Sequence, residues 1–353
     1  MKQKKIYLEI IRIFAIFFVI YTHTGTDAAA YYQVADHSFS YMLSLILFCV
    51  SQTCVPLFFL VSGATLLHKK ESLTTVLKHR ALRIFLIILL FGFIQYAYCY
   101  YLNPAIGFSL GSYFKVIYSS TVITQYWYLY AYFAFTLMLP FLRMLAQSME
   151  NIHFWYLFGL FFLLEAILPI AEYLWGTNRI ALSVPLFEQS LLYPLLGYYI
   201  AQRSNQLFYT KKNLLLTNLL GLCALFSNTA VALMAHKQRG AAGGLIGLTV
   251  TVALVTFINI RAFCNYAQRS TLQIFHGKLS QLTCKLIFNI GGCVFGIYLL
   301  EPPLRDTFRF IYLALVPYLS WFFAVCVWIG TAIFCGAILF SILRKIPLLN
   351  KIL

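Results

Sequence analysis

The chain has 353 residues, 61% of them hydrophobic and only 10% charged, where an ordinary soluble domain carries about 25% charged residues. That polar surface is too small to coat a water-soluble particle, and apolar runs of the roughly 20 residues a bilayer crossing needs recur along almost the whole length. The net charge of +16, from 26 Lys and Arg against 10 Asp and Glu, lies between the apolar runs and on no separate basic face with interleaved aromatics, which argues against nucleic acid as a partner.

Taken in order, the apolar runs predict spans near 6–23, 42–67, 82–102, 127–145, 154–174, 186–201, 214–235, 241–260, 284–300 and 318–342. The first has some features of a cleaved signal peptide, with basic residues before Ile6 and Ala28-Ala29-Ala30 beyond it. Glu9 and Arg12 interrupt that pattern, so it is read as a span. The ninth is short, carries Gly291-Gly292 and stops at Pro302-Pro303. The nine cysteines form no Cys-x-x-Cys pair, so neither a disulfide framework nor a metal site is expected. The expectation is an all-α integral membrane protein of about ten transmembrane helices, one domain over 1–353 with no appended soluble domain.

Loop charge gives that expectation an orientation. With the N-terminus inside, nineteen of the 26 basic residues fall in inside segments and six outside, namely Lys115, Arg179, Lys237, Arg239, Arg305 and Arg309. Short cytoplasmic loops retain Lys and Arg, so both termini are expected in the cytoplasm.

Charged side chains within a span are costly and tend to face protein or water. In helix 1, Arg12 and His23 stand eleven residues apart, which puts them within ~20° around the helix and ~16 Å apart along it. Glu9 lies one turn before Arg12, close enough for an ion pair; the plainer reading has both charges snorkelling to the headgroups and His23 as an interfacial histidine. Between the second and third spans, Lys69, Lys70, Lys78, His79, Arg80 and Arg83 form a dense basic stretch. Positive-inside retention accounts for it, and so does a phosphate site in which Arg80 and Arg83 offer guanidinium forks to one anion. The aromatic stretch from Tyr126 through Trp127 to Tyr130 has the composition of an interfacial belt. Glu165, four residues before Pro169, is a candidate for a polar cavity beside a kinked helix.

Several blocks then look familiar. Tyr7-Leu8-Glu9-Ile10-Ile11-Arg12, followed by ten residues and His23, resembles the opening helix of the membrane acyltransferase 3 family. Val55-Pro56-Leu57-Phe58-Phe59-Leu60-Val61-Ser62-Gly63 resembles its second-helix signature, and Lys78-His79-Arg80-Ala81-Leu82-Arg83 its basic approach to helix 3. Trp127-Tyr128-Leu129 with Leu139-Pro140-Phe141-Leu142-Arg143 is similar to its fourth-helix block, and Phe295 to Leu300 to its late block. Members often carry His where Gln125 and Glu301 stand here, departures that bear on donor or acceptor preference.

The resemblance implies transfer of an acyl group, usually acetyl from acetyl-CoA or succinyl, onto a hydroxyl of a cell-envelope glycan or lipid-linked sugar. It implies a multi-pass protein of the bacterial plasma membrane, with membrane lipid around it, acyl-CoA as cytoplasmic co-substrate, the glycan acceptor outside and no tightly bound cofactor. On this reading Lys78, Arg80 and Arg83 hold the CoA phosphates, and the pantetheine arm passes Arg12, which Glu9 supports. His23 acts as general base or forms a transient acyl-imidazole, and Trp127, Glu165 and Glu301 lie along the substrate path. On physics alone, a transporter of polysaccharide or lipid-linked sugar fits the intramembrane charges equally well; the membrane part of a sensor or scaffold is a third reading.

Overall fold

A bilayer offers no water to backbone N–H and C=O groups, so a chain this apolar must close its hydrogen bonds within helices or within a closed barrel. The computed structural model describes residues 5–25, 39–103, 108–119, 124–177, 182, 184–204, 208–239, 243–269 and 278–352, and the regular structure among them is entirely helical. The helices are α1 (Ile6–His23), α2 (Phe39–Ser51), α3 (Cys54–Leu66), α4 (Leu73–Leu102), α5 (Leu110–Tyr118), α6 (Trp127–Ser148) and α7 (Asn151–Trp175). They continue with α8 (189–203), α9 (Lys211–Arg239), α10 (Ile246–Arg269), α11 (Lys278–Leu299), α12 (Glu301–Leu315), α13 (Trp321–Leu343) and α14 (Pro347–Ile352).

Nine stretches among the described residues are long and apolar enough to cross a membrane, with α2 and α3 counted as one. The remaining expected span is α8, ten α-helical residues followed by a five-residue π-turn, or ~22 Å at 1.5 Å per residue. Its ends nevertheless reach opposite faces of the bundle. Glu188, just before it, lines a cavity shared with His23, whereas Gln202 donates to the Ala64 carbonyl at 3.1 Å near the far end of α3. Arg12, early in α1, and Arg344, just after α13, line one common cavity. The first span therefore begins where the last one ends, an arrangement that needs an even number of crossings. Counting α8 gives ten among the described residues.

Glycines allow the central helices to touch. A Cβ on Gly63 would collide with the Pro194 carbonyl, and one on Gly197 with the Leu60 carbonyl, so α3 and α8 cross backbone to backbone with a glycine on each side. Gly291 does the same for α11 against α1, since a Cβ there would meet the Glu9 side chain. Gly291, one of the two glycines that make the ninth span look weak in the sequence, is thus what admits a buried carboxylate beside it.

Three of the breaks among the described helices lie beside a proline. Pro56 cannot donate to Gln52, at the α2–α3 step. Pro169 has no N–H to offer the Glu165 carbonyl, and the helix widens into a π-turn over Leu163–Ile167. Pro303 has no N–H for the Leu299 carbonyl, which accepts instead from the Tyr126 hydroxyl at 2.7 Å and the Gln95 amide at 3.1 Å.

Gly63→Ala and Gly197→Ala should each lower the apparent Tm of the detergent-purified protein, because overpacking costs about 1–3 kcal/mol and backbone cannot rotate aside. Gly330→Ala, where a Cβ meets nothing within 4 Å, should leave it unchanged. Thermal unfolding of the three variants checks this.

Candidate functional site

Arg12 and His23 share a face of α1, and each opens into a different cavity. Arg12 lines one of about 340 Å³ together with His79, Arg80, Arg83 and Arg344, and with the hydroxyl-bearing Ser62 and Thr65 of α3. Its guanidinium donates to Glu9 at 2.7 Å, and Glu9 is only 6% exposed. A charge pair within one turn lowers the cost of holding both groups at this depth.

The basic stretch of α4 divides once folded. Arg80 grips Glu71 with two hydrogen bonds of 2.7 and 2.6 Å, and Arg143 of α6 adds a third at 2.9 Å. Arg143 also donates to the Leu66 carbonyl at 3.1 Å, so Glu71 ties the end of α3, the start of α4 and the end of α6 together. The fork of Arg80 is therefore committed to a carboxylate of the protein at the cavity rim. Arg83 donates from Nε to the Ile352 carbonyl of α14 at 2.5 Å. Lys78 is exposed beside the cavity and is not part of its lining. Arg344, which carries no motif of its own, joins Arg12 and Arg83 only because α13 ends there.

The second cavity, of about 790 Å³, holds His23 and has a different chemistry. Glu165 enters it from the π-turn of α7, Glu188 and Gln189 from the start of α8, Gln52 from the α2–α3 step, and Gln125 and Trp127 from the start of α6. Aromatic rings, including Phe58, Tyr128, Tyr193 and Tyr298, make up much of the remaining wall. Such amphipathic walls with a few polar groups are typical of small-molecule sites.

Behind His23 lies Glu301, 1% exposed, with Oε2 3.4 Å from the imidazole Nδ1 and Oε1 accepting from Arg305 at 3.1 Å. Arg305 in turn donates to Asp306 at 3.0 Å. Nδ1 and Oε2 each lack a hydrogen bond among the described residues, but a carboxylate this close to one imidazole nitrogen favours a ring orientation that leaves the other nitrogen for the cavity. Glu301 is thus positioned to act through His23. Its location follows from the Pro302-Pro303 break, which ends α11 and starts α12 at this level.

Of the residues singled out in the sequence, Arg12, Arg80 and Arg83 meet in the basic cavity, and His23, Trp127 and Glu165 in the wide one. Glu9 and Glu301 stand behind Arg12 and His23 respectively. The belt reading of 126–130 is corrected: Tyr126 and Tyr128 are buried, Tyr130 donates to the Ile117 carbonyl at 2.6 Å, and Trp127 alone is exposed. Alternating buried tyrosines on a helix start have the same composition as a belt, which is why the stretch misleads. Among the described residues, no group of three or more His, Cys, Asp or Glu side chains is placed to hold a metal ion.

Arg80 above all, then Arg143, holds the Glu71 carboxyl down at about 2. A depressed folded value contributes stability that is complete above the group's ordinary value of 4.5 and is lost as pH falls towards 2. The parent should therefore lose Tm over that window, and Glu71→Gln, already lacking the bridge, should lose less. Thermal unfolding between pH 6 and pH 3 compares the two slopes.

A family model described as an acyltransferase domain matches residues 5–342. No curated protein and no solved structure matches the chain.

Proposed function

The chain belongs to the acyltransferase-domain family, and from that premise we propose that it carries an acyl group, acetyl in the first instance, from cytoplasmic acyl-CoA to a hydroxyl of an envelope glycan or lipid-linked sugar outside a bacterial plasma membrane. The observation that carries this reading is the pairing of two cavities of unlike chemistry at the two ends of α1, one rich in guanidinium groups and one lined by carboxylates, amides and aromatic rings around a histidine. Guanidinium forks suit phosphate oxygens, whereas aromatic faces and amide groups suit a sugar.

In this scheme the basic end faces the cytoplasm, in keeping with the excess of inside charge. The CoA phosphates rest on Arg83, Arg344 and the flanking Lys78, with Arg80 bracing the rim, and the thioester arm passes Arg12 towards His23. The imidazole takes the proton of the acceptor hydroxyl, the acceptor oxygen bonds to the acyl carbon, the carbon–sulfur bond breaks, and the imidazolium returns its proton to the departing thiolate. Glu301 holds the ring and balances its charge during the step. An acyl-imidazole intermediate divides the same bond changes into two transfers, with the thiol leaving before the hydroxyl enters. Trp127 offers a stacking face to the sugar, and Glu165 accepts its hydroxyl hydrogens. A transporter reading gains no observation of its own from this geometry.

His23→Ala should abolish acyl transfer while leaving a folded protein, since removing a general base costs about 10²–10⁴ in rate and Ala suits the end of a helix. Transfer is to be measured in membranes holding equal amounts of parent and variant. Activity within a few-fold of the parent would contradict the assignment.

A further inference from the structure

The two cavities lie back to back, and the residues common to both linings are Phe58 of α3, Tyr128 of α6 and Tyr298 of α11. These rings form one packed wall, with Tyr128 to Tyr298 centroids 5.5 Å apart edge to face and Phe58 to Tyr128 centroids 5.8 Å apart. An acyl group that starts at the basic cavity and reacts at His23 must pass through this wall, because Arg12 and His23 open on opposite sides of it.

The three rings are not held alike. Tyr298 donates its hydroxyl to the Gln125 carbonyl at 2.7 Å, and the adjacent Leu299 carbonyl is clamped by Tyr126 and Gln95. Moving Tyr298 therefore breaks a buried hydrogen bond and disturbs the α11–α12 step. Tyr128 is held by rings: Phe58, Phe59 at 5.2 Å, Tyr132 at 6.0 Å and Tyr298. Rotation of its side chain breaks no hydrogen bond among the described residues, and each aromatic contact it gives up is worth only about 0.5–1.5 kcal/mol.

Resting on the acyl-transfer reading above, we propose that Tyr128 is the movable element of the wall and sets the cross-section of the acyl group that reaches His23. A gap the width of one side chain admits an unbranched chain, because every methylene of it has the girth of the cysteamine end of the pantetheine arm that carries it. It excludes a group branched at the carbon next to the carbonyl, whatever its length. The selectivity is therefore for shape, at the carbon next to the carbonyl.

The test uses the full-length protein in membranes and compares initial rates of transfer from isobutyryl-CoA and acetyl-CoA to the same glycan acceptor. Tyr128→Leu should raise the isobutyryl-to-acetyl ratio by at least about tenfold, the discrimination that a methyl-sized fit provides, while Tyr128→Phe keeps the parent's ratio. Phe58→Leu widens the same wall from α3 and should move the ratio in the same direction, which keeps the test decisive if Tyr128→Leu is not recovered folded. A parental ratio in a folded, active Tyr128→Leu or Phe58→Leu protein would overturn the filter and leave the acyl-transfer reading intact. Failure of the parent itself to consume either thioester would overturn the donor assignment, and the filter with it.

Discussion

The site depends on one buried backbone carbonyl where α11 ends. Pro303 deprives Leu299 of its helical donor, and an unmet carbonyl at this depth is costly, so Gln95 of α4 and Tyr126 at the start of α6 supply the missing bonds. Because the helix can stop there, Tyr298 ends up in the wall between the cavities and Glu301 behind His23. Irregular backbone is tolerated inside a membrane where it is buried in protein or lines a cavity, and here it does both. The steps at Gln52 and Glu165 follow the same rule, each delivering a polar side chain to the cavity that holds His23.

The second requirement is that charges at the cavities and their rims have partners. Glu9 with Arg12, Glu71 with Arg80 and Arg143, and Glu301 with Arg305 are the ion pairs that let charged groups exist beside the cavities. Buried pairs of this kind are poor contributors to net stability against apolar replacements, yet removing one partner leaves an uncompensated charge. They make sense as the means of holding guanidinium groups at one end of α1 and an oriented imidazole at the other.

Much of this was legible in the sequence. The spans follow from runs of apolar residues, and the shared face of Arg12 and His23 follows from eleven residues at about 100° each. Even the short α8 was readable as a span, although its length alone falls below that of an ordinary crossing. Tertiary partners were not legible. Glu71 and Arg143 are 72 residues apart and carry no pattern that joins them. Glu301 reads as a departure from a family block and only the fold turns it towards His23. Tyr128 reads as part of an interfacial belt because composition cannot tell a tyrosine facing headgroups from one facing two cavities. Arg344 belongs to a run of basic residues that orientation alone explains.

The central claim is that donor and acceptor are handled on opposite sides of one wall. Sealed membrane vesicles of both orientations, given labelled acetyl-CoA on one side and glycan acceptor on the other, test it most directly. The account predicts labelled glycan only when acetyl-CoA is on the side of the basic cavity, that of Arg12 and Arg344, and the acceptor on the side of His23. Equal labelling from acetyl-CoA supplied on either side, or labelling that requires donor and acceptor on the same side, would contradict it.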